Sequence, residues 1–457
     1  MSLESGAEAK GLGGEMVALL TLAWPIIVGQ VGYLTMGVVD TVVVGRLGAE
    51  PMAALALGHF WSLALSVFGL NTLRGLDPFF SQAFGAGDHH ALRRVHAHAL
   101  FFGLVLSVPI ALAHLGAGLT MRFFGQPEAA VVVAHDYSVA VALGMAPLLV
   151  AAALAQFLQG LGRVLAPMVV VVFANLVNLV LDLVLVLGAD LGPLGQVPAF
   201  GAEGCGWATT GVRWFSLPAL LLVARRPLRA FAPLWRRPFF APGELPRLLR
   251  VSVPVGAHGC LEMWAFFALG LMMGRLGTEA LAGHSVAMNM ISLTYMVSFG
   301  LAGAASIRVG HLIGRGAPWG RCALTAVGLG AGFMAFSGLG LVYFAERVGG
   351  LFTHDAAVIL VVAALLPVGG AFQVFDGTQV VAAGVLRGAG DTAFSAWANA
   401  VGHWIVGLPV GAVAGLVLFR TPGSVWWGMA LGLAFVAIAS LARLRQILRR
   451  GPRRVIE

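Results

Sequence analysis

The chain has 457 residues, 59% of them apolar and only 11% charged. Soluble domains carry about 25% charged residues, so this balance excludes one and indicates a polytopic membrane protein. The formal net charge of +8 is arginine-based, with Lys10 as the single lysine, and loop placement explains it better than a nucleic-acid partner.

Residues 1–15 are polar and acidic (Glu4, Glu8, Glu15) and lack the basic start of a cleavable leader, so they read as a cytoplasmic tail. Twelve apolar segments follow, each near the 20 residues a span needs: 16–45, 52–76, 95–116, 130–155, 164–188, 203–224, 250–274, 280–305, 320–345, 356–386, 392–419 and 424–442. With the N-terminus inside, 21 basic residues fall on inner segments and 5 on outer loops. That bias places both termini in the cytoplasm. The fold expected is an all-α integral membrane protein.

The Pro- and Arg-rich stretch 225–249 reads as a cytoplasmic linker between an N-terminal lobe, 16–224, and a C-terminal lobe, 250–445. A basic tail, 446–457, ends the chain. The halves repeat. A shift of 229 lays Pro25 on Pro254, Gly45-Arg46-Leu47-Gly48 on Gly274-Arg275-Leu276-Gly277, and Glu50 on Glu279. Six spans per half is an even number, so the two bundles share one orientation, a parallel internal repeat with a substrate path expected between the bundles.

The intramembrane acids break this repeat. Under the same shift Asp40 falls on Leu269 and Glu262 on Tyr33, so symmetry does not require them. An acid in a span costs about 2.5–3.5 kcal/mol on insertion scales, which makes each a candidate for function. Asp40 and Asp182 each lie about 9 Å from the outer end of their spans and can meet at one level. Asn178, four residues before Asp182, shares its helix face. Two carboxylates and a carboxamide suit a shared proton or a small hard cation. Glu262 and Asp376 lie about 16–18 Å from the inner ends of theirs, near the midplane, and could face one cavity. The bland alternative for each group is a structural acid pair bonded to neighbouring polar groups.

Other features read more plainly. Arg74 and Asp77, three apart, read as an ion pair; His89, His90, His96 and His98 as a solvated loop; His135-Asp136-Tyr137 as interfacial. Cys205, Cys260 and Cys322 read as small buried hydrophobes. No nucleotide-binding, zincin, nucleophile-elbow or CxxC motif is present, so neither an ATPase nor another enzyme is expected.

The stretches MGVVDTVVVGRLG (36–48), SQAFGAGD (81–88), QGLGRVLAPM (159–168), ANLVNLVLD (174–182), EGCGWATT (203–210), QVFDGTQVVAAGVLRGAGD (373–391) and HWIVGLP (403–409) together resemble the multidrug and toxic compound extrusion (MATE) family. The NorM-like branch is most similar, and the likeness runs from about residue 16 to 445. The resemblance implies a secondary antiporter, a multi-pass protein of the bacterial inner membrane that exports cationic or amphipathic compounds in exchange for H+ or Na+. It places Asp40, Asn178, Asp182 and Thr209 at the N-lobe coupling site, Glu262 and Asp376 at that of the C-lobe, and Pro25 at a bend of the first helix. NorM-like members often have Asn where Asp182 stands. No cofactor is expected, nor a metal apart from Na+ at the acids, and the chain is expected to act as a monomer with the lipid bilayer and small molecules as partners. A lipid-linked oligosaccharide flippase of related fold is the alternative.

Overall fold

The computed structural model describes residues 11–190, 192–233, 244–452 and 454–455. The first half of the chain forms α1 (Leu12–Gly45), α2 (Ala49–Arg74), α3 (Asp77–Ala86), α4 (His89–Leu115), α5 (Ala117–Phe123), α6 (Glu128–Ala142), α7 (Met145–Gly160), α8 (Leu165–Leu187) and α9 (Ala202–Val223). After α10 (Arg225–Ala230), the second half forms α11 (Glu244–Leu276), α12 (Thr278–Gly314), α13 (Gly320–Tyr343), α14 (Ala345–Phe352), α15 (Ala356–Gly388), α16 (Thr392–Ala400), α17 (Leu408–Ala412) and α18 (Pro422–Arg450). A two-residue hairpin, Ala189–Asp190 against Gln196–Val197, joins α8 to α9.

Among the described residues ten helices are long and apolar enough to cross a bilayer. α6 and α7, bent by 51° at a short break, make an eleventh. The break has a local cause: the Pro147 ring cannot sit over the carbonyl of Leu143 in a continuous helix. α9 is 22 residues long, about 33 Å, long enough for the sixth span expected in the first half. Its Glu203, Arg213 and three glycines keep it outside those eleven. The stretch 225–249 is helical at both ends, in α10 and from Glu244, and residues 234–243 lie outside the described residues.

The described chain divides into two compact units that differ from its two halves. One comprises Met1–Ile27, Asp77–Asp88 and Pro246–Glu457; the other comprises Val28–Leu76 and His89–Leu245. Close backbone approach explains why α3 joins the first unit. A methyl group at Gly85 would lie 2.9 Å from the His311 backbone, and one at Gly314 would lie 2.9 Å from the Ala86 nitrogen. Small residues allow such contacts, and dispersion then holds the helices. The start of α1 is tied in by charge: Arg308 donates to both carboxylate oxygens of Glu15, at 3.1 and 3.2 Å. Asp77 lies 3.5 Å from Arg387 Nε, and Gln82 donates to the Gly388 carbonyl at 3.0 Å. Arg74, in the other unit, donates to Gln30 and Asn71.

Three plain readings change in the structure. His89 to His98 lie on α4, and His96 and His98 are buried rather than solvated. His96 stacks on Phe157 with ring centres 3.9 Å apart, and its Nδ1 faces the Phe231 carbonyl. Tyr137 is likewise buried, because α6 packs this face against α2 and α9. Cys205 is buried, but beside two acids instead of in an apolar pocket.

Candidate functional site

The inward face of α8 is one stripe: Val171, Ala174, Asn178, Asp182 and Val186, spaced by three or four residues. Its polar members turn inward because hydrocarbon offers no hydrogen bonds. Asn178 Nδ2 donates to Asp40 Oδ1 at 3.1 Å, joining α8 to the later part of α1. Carboxylate oxygens of Asp40 and Asp182 and the sulfur of Cys205 all lie within 4.8 Å of one another. Gly204 makes this possible. A methyl group there would lie 2.7 Å from the Leu185 carbonyl carbon, so α9 can press on α8 only at a glycine, which carries Cys205 to Asp182. Asp40, Asn178, Asp182 and Cys205 are all buried, and Asp182 fully so.

This cluster is short of donors. Both oxygens of Asp182 and Oδ1 of Asn178 are buried without hydrogen-bond partners. Buried acceptors in that state cost about 1–3 kcal/mol each, which a proton or cation would offset. Thr209 sits one turn beyond Cys205 on α9, half-buried, as a partner of the Tyr137 side chain. Arg213, one turn further, donates to the Val141 carbonyl at 3.1 Å, and its charge acts on Asp40.

The second cluster lies within the other unit, on α11 and α15. Gln379 Nε2 donates to Glu262 Oε1 at 2.7 Å and to Asp376 Oδ1 at 3.2 Å, so one amide joins the two acids. Tyr295 of α12 donates to Glu262 Oε2 at 3.4 Å. His258, one turn before Glu262, has Nε2 at 3.8 Å from Glu262 Oε2 and 3.5 Å from Asn399 Nδ2. Its Nδ1 lies 3.1 Å from the Ser395 carbonyl, an acceptor only, so Nδ1 carries a hydrogen. Oε1 of Gln379 and Oδ1 of Asn399 are buried without partners. Beyond Asn399 the chain widens into a π-helical stretch, Val401–Gly407, which lets Trp404 donate to the Leu261 carbonyl beside Glu262 at 3.0 Å.

The structure therefore brings Asp40, Asn178 and Asp182 together, and Glu262 with Asp376. Thr209 stands beside the first group, through Tyr137. Pro25 is a buried interior residue of α1, two positions before that helix passes from one unit to the other. Its missing N–H frees the Thr21 carbonyl, the condition for a bend. Sequence reasoning missed Gln379 and His258, although spacings of three from Asp376 and four from Glu262 marked both. Nothing in the sequence flagged Cys205 or Arg213.

The MatE family model matches residues 25–184 and again 254–413, two copies displaced by the same 229 residues as the repeat. The chain belongs to the MatE family. Within the family it falls in the NorM-like branch. The "Probable multidrug resistance protein NorM" of Bradyrhizobium diazoefficiens is 32% identical over 98% of this chain and 97% of its own. The multidrug resistance protein PmpM of Pseudomonas aeruginosa is 30% identical over 95% and 92%. The crystal structure of the eukaryotic MATE transporter AtDTX14 superposes with a TM-score of 0.85 at 22% identity, covering 98% of this chain and all of that one, which speaks for the fold. The protein is thus a multi-pass member of the MATE family with the family's two-repeat architecture.

Proposed function

We propose that the protein is a secondary antiporter that exports cationic or amphipathic compounds in exchange for H+ or Na+. The observation that carries this reading is the pairing of buried carboxylates in each bundle, Asp40 with Asp182 and Glu262 with Asp376. Two ionised acids in a low-dielectric site repel strongly, so each pair suits a shared proton or a bound cation. Oxygen acceptors left without donors beside both pairs supply ligands for either ion.

Ion binding drives transport only if the ion and the drug favour different conformations. An ion arriving from outside neutralises the acids, weakens the hold on a cationic compound, and releases it outward. The emptied carrier then returns the ion inward. On this reading the protein lies in the bacterial inner membrane with both termini in the cytoplasm, an orientation the arginine distribution supports. A single chain contains both clusters, so a monomer suffices.

The test is dye transport in liposomes holding the purified protein, driven by a pH gradient or a sodium gradient. Gradient-dependent uphill movement, abolished in Asp40→Asn or Asp376→Asn, is the expected outcome. Full transport in both variants would overturn the proposal.

A further inference from the structure

Cys205 changes the donor set of the first cluster. A proton or sodium ion at two acids and a carboxamide uses oxygen alone, yet here a sulfur lies within 4.8 Å of both carboxylates. Asp182 is fully buried with neither oxygen satisfied, and Oδ1 of Asn178 is buried without a donor. Sulfur and two carboxylates converge here, and the one amide donor beside them, Asn178 Nδ2, serves Asp40 and leaves Asp182 without one.

We propose that Asp40, Asp182 and Cys205, with Asn178 as a fourth donor, form a binding site for a thiophilic divalent cation of the zinc and cadmium class. Thiolate selects soft and borderline cations, and four donors from three helices suit the tetrahedral preference of these ions. Charge supports the same class. Arg213 acts on Asp40 from α9 and contributes +1. Three loadings then leave the cluster neutral: one proton shared by the acids, Na+ with the thiol intact, or a divalent cation with the thiol deprotonated. Only the third forms a bond to sulfur. Starting from the proton-loaded state, it forms a metal–thiolate bond and releases two protons, one from the thiol and one from the acid pair. The divalent cation therefore displaces the coupling ion at equal net charge and blocks exchange, a consequence that rests on the antiport reading, whereas binding itself does not.

The test uses full-length protein in detergent with Cys260→Ser and Cys322→Ser, leaving Cys205 as its one thiol. Cadmium chloride is titrated in without drug or gradient, following the ultraviolet thiolate-to-cadmium charge-transfer band and proton release in weak buffer. One cadmium per chain, with two protons released, is expected. Adding Cys205→Ser removes the band. Asp182→Asn weakens binding by more than the about 10–100-fold that loss of a mere supporting partner costs. Should the double serine protein not stay monodisperse, the same band is read as the difference between wild type and Cys205→Ser. No band, or equal binding in a monodisperse Asp182→Asn protein, overturns the proposal, the latter marking a simple thiol adduct. Cadmium block of dye transport, relieved by Cys205→Ser, tests the consequence separately.

Discussion

The amide nitrogen of Gln379 lies 2.7 Å from Glu262 Oε1 while also reaching Asp376 at 3.2 Å, so an uncharged side chain holds two acids from different helices. Hydrogen bonds to charged groups contribute about 1.5–3 kcal/mol each. Gln379→Leu, which keeps the volume and removes both bonds, is expected to lower the thermal midpoint and reduce coupled dye efflux about tenfold, a loss of about 1.4 kcal/mol. Efflux at the wild-type rate in a folded Gln379→Leu protein would show that the two acids need no bridge.

Asp40 and Asp182 act as one group if they share one ion. Asp40→Asn and Asp182→Asn should each abolish coupled transport through the first cluster, and the double variant should be no worse than either alone. Contacting residues that work as a unit show such non-additivity. Residual activities that multiply in a double-mutant cycle would mean two independent sites.

Glu15 and Arg308 are each 7% exposed and bind through two parallel bonds. Removing one partner leaves a buried charge, so Arg308→Met should destabilise by about 3–5 kcal/mol. Replacing both by apolar residues, Glu15→Met with Arg308→Met, should restore most of that stability, because neither charge is then stranded. Denaturant midpoints of the three variants decide it, and a double variant as unstable as Arg308→Met would contradict the account.

Glycine contacts give a fourth prediction. A methyl group at Gly388 would lie 3.0 Å from Ser306 Cα, whereas one at Gly328 meets nothing within 4 Å. Gly388→Ala should cost about 1–3 kcal/mol by overpacking. Gly328→Ala should be neutral or stabilising by about 0.4–1 kcal/mol. Thermal melts in detergent check both, and equal midpoints would argue against close packing of α12 on α15.

Much of this was legible in the sequence for a physical reason. A polar residue in an apolar run must turn inward, and the spacing of Asn178 and Asp182 sets their common face. The repeat was legible because junction glycines recur at fixed offset. Cys205 was not legible as a site member, because its neighbours are set by the approach of Gly204 to Leu185 across two helices. The grouping of 77–88 with the second half was hidden similarly, since it depends on Gly85 meeting the His311 backbone and Gly314 meeting that of Ala86, over 200 residues apart. His96 and Tyr137 misled because polarity near a helix end suggests water, while their rings are covered by neighbouring helices.

The most direct measurement is dye movement into liposomes under a pH gradient alone and a sodium gradient alone, in wild type, Asp40→Asn and Asp376→Asn. The account predicts uphill movement under at least one gradient and its loss in the variant of the cluster that binds that ion. Downhill movement only, unchanged by either gradient and by both substitutions, would contradict ion-coupled antiport.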